Sequence, residues 1–331
     1  MKRRRISTAV LSLALAALAA FCFIFAYPAL SDAHTAEPLG YTGILRLWHI
    51  DGFEGGTGSR ASFLARVAGD FEKRNEGTLV MVVSHTPESA RQAINEGKLP
   101  DMISFGGDCS FVLEAALPLE GYTCAAASVG GAAYAVPWCR GGYLLFSAEG
   151  DFSDISAENT VISQGRGSVP YAAAVMEGMR GDFALLPSVQ AYTALIGGKY
   201  KYMLGTQRDV YRFIARGFSV SVKPVESYCD LWQYICVCAG EAQKYEACLR
   251  FMESLLSETV QKSLSSVGML SPYCSVYGEE NAAMRALESI SPAKTLFAFA
   301  DAGAREAFAS LAEGVLKGDE NGAKKLENYL V

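Results

Sequence analysis

Histidine is scarce in this chain: three in 331 residues, His34, His49 and His85. There is no H-E-x-x-H, no G-x-S-x-G and no clustered Cys/His set. Zinc-hydrolase and serine-hydrolase constellations are therefore excluded. Nine cysteines occur, yet none form a C-x-x-C pair, which removes the usual dithiol redox motif. Positive charge is not concentrated anywhere past the N-terminus, and the net charge is −6. Nucleic acid is excluded as a partner on that ground. No internal repeat occurs. No metal, cofactor or catalytic residue is expected.

The chain is 50% hydrophobic and 19% charged, enough to build two buried lobes. Lys2, Arg3, Arg4 and Arg5 precede an uncharged run from Ile6 to Ser31. Positive charge followed by apolar sequence is a targeting signature. Ala9 to Tyr27 is long enough to span a bilayer, and Ser31-Asp32-Ala33 offers a cleavage site. Residues 1–33 thus read as a signal peptide or a retained membrane anchor, with the remainder outside the cell. Phe21 directly before Cys22 is wrong for a lipoprotein box. Eight cysteines lie beyond this segment. Cys236 and Cys238 share one face of an apolar strand and cannot easily bridge each other, so mostly free thiols are expected.

Residues 34–42 form a polar linker. Ile44 to Gly106 reads strand, glycine loop, helix, strand, helix, strand. Ser59 is placed to cap the first helix, and Thr86-Pro87-Glu88 starts the second. Alternating strands and helices predict a parallel sheet. Such sheets bind ligands at the carboxyl ends of their strands. The loop from Gly52 to Arg60 sits at such an end. It fits neither G-x-G-x-x-G nor the phosphate-binding G-x-x-x-x-G-K-[ST], so it reads as either a helix-entry turn or a ligand loop. Trp48 offers a flat face, and Asp51 or Glu54 can accept hydroxyl protons. His49 alternates with Trp48 and should face the other side of the sheet.

Further on, Pro137-Trp138-Cys139-Arg140-Gly141-Gly142 predicts a segment passing from one lobe to another, with Trp138 either in the core or at a cleft. Ser188 is expected to cap a helix over Val189–Ile196. Thr206-Gln207-Arg208-Asp209 lies between a strand and a helix, as a capped start with a local Arg–Asp pair or as a polar wall. Leu231 to Val237 is a second candidate crossing, with Trp232 and Tyr234 on one face. The expected division is 43–136 with 231–276 in one lobe. The other takes 137–230, which is short, with C-terminal helices over 277–331.

Several short motifs follow one another in order along the chain: Leu45-Arg46-Leu47-Trp48, Phe53-Glu54-Gly55-Gly56, Phe71-Glu72-Lys73-Arg74-Asn75 and Leu99-Pro100-Asp101-Met102-Ile103-Ser104-Phe105-Gly106. Val136-Pro137-Trp138, Leu204-Gly205-Thr206-Gln207-Arg208-Asp209, Asp230-Leu231-Trp232-Gln233-Tyr234 and Gly268-Met269-Leu270-Ser271 follow. With this set the chain resembles the bacterial extracellular solute-binding proteins of ABC importers, in the sugar-binding, maltose-binding-protein-like group. The resemblance implies an α/β fold of two lobes (type II, periplasmic-binding-protein-like) with an inter-lobe cleft. It puts forward Trp48, Glu54, Arg60, Phe105, Trp138, Arg208 and Trp232 as ligand-binding residues. It implies a monomer that captures a solute, read as a mono- or oligosaccharide, and delivers it to the membrane subunits of an ABC permease. Two other readings stay open: a surface sensor or scaffold with a degenerate cleft, and an extracytoplasmic enzyme using carboxylates.

Overall fold

The computed structural model describes residues 14–22, 24 and 39–331. The expected signal or anchor segment lies largely outside them. Residues 14–21 are helical, and among the described residues no helix is long and apolar enough to cross a membrane.

The chain opens with β1 (Gly43–Ile50), α1 (Arg60–Arg74), β2 (Thr78–His85), α2 (Pro87–Asn95) and β3 (Met102–Phe105). Both anticipated caps form. Ser59 accepts from the Ser62 N–H, and Thr86 forms a capping box with Ser89 ahead of Pro87. β1 pairs in parallel with β2 and β3, as the β-α-β pattern requires. A small ribbon of β4 (Ser128–Val129) and β5 (Ala132–Ala133) leads to β6 (Val136–Arg140).

Next come β7 (Tyr143–Ser147), β8 (Thr160–Gln164), α3 (Pro170–Met176), β9 (Ala184–Pro187), α4 (Ser188–Ile196), β10 (Tyr202–Thr206), α5 (Gln207–Ala215) and β11 (Ser221–Pro224). β12 (Trp232–Val237) then precedes α6 (Ala242–Leu256) and α7 (Glu258–Lys262). The chain closes with α8 (Ala282–Glu288), α9 (Ala302–Leu316) and α10 (Glu320–Glu327).

Two five-stranded sheets result, in the orders β2-β1-β3-β12-β6 and β11-β7-β10-β8-β9. The chain passes between them twice, from β6 to β7 and from β11 to β12. Val136–Arg140 pairs with β12 inside the first sheet, so the first passage falls at Gly141-Gly142, a few residues beyond the expected boundary. The paired glycines have a packing reason. A Cβ on Gly141 would sit 2.7 Å from the Gln207 amide, and one on Gly142 would sit 2.7 Å from Leu287.

The first sheet has two buried faces. Leu45 and Leu47 pack with Phe63, Leu64, Phe71 and Phe251 beneath α1 and α6. Trp48, Ile50 and Phe105 pack on the opposite face with Val112, Tyr234 and Phe299. The second lobe has its own cluster of Leu144, Phe146, Tyr192, Met203 and Phe213. The Leu45 cluster also runs on through Tyr143 and Tyr228 at the crossings to Ile162, Phe183 and Phe308, so apolar packing joins the lobes behind the seam. All nine cysteines are free thiols, six of them buried.

Candidate functional site at the seam between the lobes

Loops from both sheets meet along one seam. The first lobe supplies the turn after β1 and the turn after β3. The second lobe supplies the turns after β8, β9 and β10. In each case the loop follows the carboxyl end of a strand, where open α/β sheets place their ligands.

The glycine run after β1 is explained by this meeting. Gly167, in the second lobe, has φ 70°, and a Cβ there would lie 2.0 Å from the Gly52 carbonyl oxygen. Only glycine permits that approach. Next to it the Glu54 N–H donates to the Arg166 carbonyl at 2.8 Å, a backbone bond from one lobe to the other.

Glu54 is the centre of the seam. Its Oε1 lies 2.9 Å from Arg208 Nη1 and 3.1 Å from Arg212 Nη2. Its Oε2 accepts from Ser188 Oγ at 3.4 Å. The carboxylate is 25% exposed and the Arg212 side chain 18%. Ser188 was expected to cap α4. Instead it is the first residue of that helix, with Pro187 before it, so its hydroxyl is free to reach Glu54. The local Arg–Asp pair of α5 is formed by Arg212 with Asp209 at 2.5 Å. Burial pushes the Asp209 carboxyl up, against the Thr206 N–H and Arg212, which pull it down.

A cavity of about 440 Å³ adjoins this cluster, lined by Gln164, Gly165, Arg166, Gly167, Leu185, Leu186 and Pro187. Pockets for small molecules run from ~300 to 1,000 Å³. A Cβ on Gly165 would be 3.5 Å from Glu54 Oε2, so the carboxylate borders this space.

Behind the seam Arg305 from α9 ties three pieces together. It pairs with Asp230 at the second crossing at 3.1 Å and with Asp108 of the first lobe at 2.9 Å. It also donates to the Gly167 carbonyl of the second lobe at 3.2 Å. Asp230 further accepts from Tyr143 Oη at 2.7 Å and from the Val169 N–H. Burial raises the Asp230 carboxyl, and Arg305 with these donors opposes it.

The seven residues put forward by the resemblance separate into four groups. Glu54 and Arg208 are brought together at the seam. Arg60 supports that loop from within: it is buried, donates to Asp51 Oδ1 at 2.9 Å and to the Phe53 carbonyl, and stacks over Phe53 at 4.2 Å. Burial opposes ionisation of Asp51, but His49 and Arg60 outweigh it and hold the carboxyl well below the usual range. Trp232 lines a separate cavity of about 280 Å³ with Arg140, Ser271 and Glu288, and donates to the Cys229 carbonyl.

The other three aromatics are core in this conformation. Trp138 is 0% exposed, stacks on Phe63 at 5.7 Å and donates to Ser104 Oγ at 3.0 Å. Phe105 packs between Tyr234 and Phe299. Trp48 tilts against His85 at 4.4 Å and is buried. His49 does face the other side, bonding Ser104 and Asp51. Sequence reasoning did not single out Arg212, Ser188 as a seam residue, Asp230 or Arg305. A helical repeat could have found Arg212, which lies one turn after Arg208 on α5. Arg305 carries no local signal.

The fold is that of the two-lobed, MalE-like substrate-binding proteins. The sugar-binding protein MalE of Xanthomonas citri has a similar structure, with a TM-score of 0.60 and 16% identity over 87% of this chain and 95% of that one. The maltose/maltodextrin-binding domain MalE of Bdellovibrio bacteriovorus, bound to maltotriose, has a TM-score of 0.53 and 13% identity over 87% and 97%. A two-component-system protein described as mediating signal transduction has a TM-score of 0.50 and 13% identity over 76% and 94%. No protein-family model matches the chain, and no curated sequence does.

Proposed function

We propose that the protein is an extracytoplasmic receptor that captures a solute, of the carbohydrate class, between its two lobes and delivers it to an ABC permease. One observation carries this reading. Strand-end loops of two separate sheets converge on one seam, and the chain passes between those sheets twice. That arrangement lets two bodies close around a ligand. Polar groups able to hold a solute gather there, Ser188, Arg208 and Arg212, around the Glu54 carboxylate. The solute would lie against Leu185, Leu186 and Pro187 in the adjoining cavity. The role is binding, not turnover, with a monomer as the working unit.

A second reading, a sensor or scaffold with a degenerate cleft, is favoured by the direct backbone bond from Glu54 to Arg166 and by the apolar packing shared behind the seam. Thermal-shift screening with mono- and oligosaccharides, followed by small-angle scattering with and without any hit, separates the two. The receptor reading expects a raised midpoint and a change in radius of gyration. A panel of sugars that moves neither leaves the scaffold reading. Glycoside turnover that vanishes in Glu54→Gln would overturn the assignment as a binding protein.

A further inference from the structure

We propose that the Glu54 carboxylate is a tethered stand-in for the carboxylate of an acidic solute, so that the second lobe selects anionic sugars such as uronates. This rests on the solute-receptor reading and narrows its substrate class. The cradle that holds Glu54 belongs wholly to the second lobe: Arg208 at 2.9 Å, Arg212 at 3.1 Å and Ser188 Oγ at 3.4 Å. Two guanidinium groups and a hydroxyl around one carboxylate is the donor set that recognises anionic groups.

The charge balance points the same way. The chain as a whole is acidic, yet the cradle is locally basic. Once opening of the lobes withdraws Glu54, the one carboxylate left paired to this cradle among the described residues is Asp209, on Arg212. That carboxylate is already held by the Thr206 N–H and Arg212. A third arginine, Arg166, stands exposed at the adjoining cavity. A neutral sugar that displaced Glu54 would leave this charge uncompensated. A uronate would place its ring in the 440 Å³ space against Leu185, Leu186 and Pro187 and its carboxylate where Glu54 now sits.

Glu54 is then an intramolecular competitor. A group on a short tether acts at an effective concentration on the order of millimolar, so removing it should strengthen binding, whereas removing an ordinary ligand contact weakens it.

The test is titration calorimetry on the full chain and on its Glu54→Ala and Glu54→Gln variants, with D-glucuronate, D-galacturonate, D-glucose and D-galactose. The expected result is binding of a uronate, roughly tenfold or more tighter in Glu54→Ala than in the parent protein. The neutral sugars should bind at least tenfold more weakly, and Arg212→Ala in the Glu54→Ala background should abolish the preference. Neutral sugars that bind as tightly as the uronates overturn the acidic class while leaving the receptor reading in place. Uronate affinity that falls in both Glu54 variants shows Glu54 to be a direct ligand contact and overturns the stand-in. If neither uronate binds Glu54→Ala, the proposal fails; if the neutral sugars and the wider oligosaccharide panel also fail, so does the receptor reading beneath it.

Discussion

Glu54 and Arg212 are 158 residues apart in the chain and 3.1 Å apart in space. They belong to different lobes, so their pairing reports closure directly. A double-mutant cycle of Glu54→Ala and Arg212→Ala should return a coupling of roughly 0.5–3 kcal/mol, the range for residues in contact within one network. Urea unfolding of the four proteins measures it. A coupling indistinguishable from zero would mean that the lobes are held without this pair.

Trp138 should behave as a core residue. Its indole is fully buried, stacked on Phe63 and bonded to Ser104. Trp138→Ala is expected to cost about 3–5 kcal/mol of stability, read from the denaturation midpoint. Trp138→Phe should lose less, since it keeps most of the ring contact. A variant with full stability and a selective loss of solute binding would place Trp138 at the ligand instead.

The contrast between these residues shows what was legible in the sequence. Local patterns specified the β-α-β start, the caps at Ser59 and Thr86, and the glycine-paired crossing, because each depends on neighbours a few residues away. Strand alternation also placed His49 opposite Trp48. It could not say which face a later helix would cover, so Trp48, Phe105 and Trp138 could be read as cleft aromatics although α1, α6 and the Phe299 segment bury them. Glu54 and Arg208 stood out as charged groups at strand ends, but only the closed lobes bring them together. Ser188 has the side chain of a helix cap, but its hydroxyl bonds the distant Glu54 carboxylate instead.

Asp51 should make the fold sensitive to acid. Its carboxyl is held below the ordinary value of 3.8 by His49 and Arg60, against burial. A lowered folded value means that the contribution is complete above the unfolded value and is lost as pH falls toward the folded one. The thermal midpoint should therefore drop as pH is lowered beneath about 4, and Asp51→Asn should flatten that drop. An unchanged slope in the variant would assign the acid sensitivity to other groups.

Breaking the pair behind the seam should be expensive. Asp230 is fully buried and Arg305 nearly so. Arg305→Ala leaves the Asp230 carboxyl without its cation, and such a loss costs about 3–5 kcal/mol. Asp230→Asn should cost less at neutral pH, since an amide carries no buried charge. Chemical denaturation of both variants decides the order, and an Arg305→Ala protein as stable as the parent would refute it.

The position of β12 sets an order of assembly during synthesis. It lies between β3 and β6 in the first sheet, yet it is made of residues 232–237. Every strand of the second sheet falls between residues 143 and 224. The second lobe can thus nucleate from one continuous stretch while the first still lacks an inner strand. Contacts that close long loops form late. An emerging chain therefore exposes the flanks of β3 and β6 until that late strand arrives, and this interval is when a holding chaperone would have most to cover.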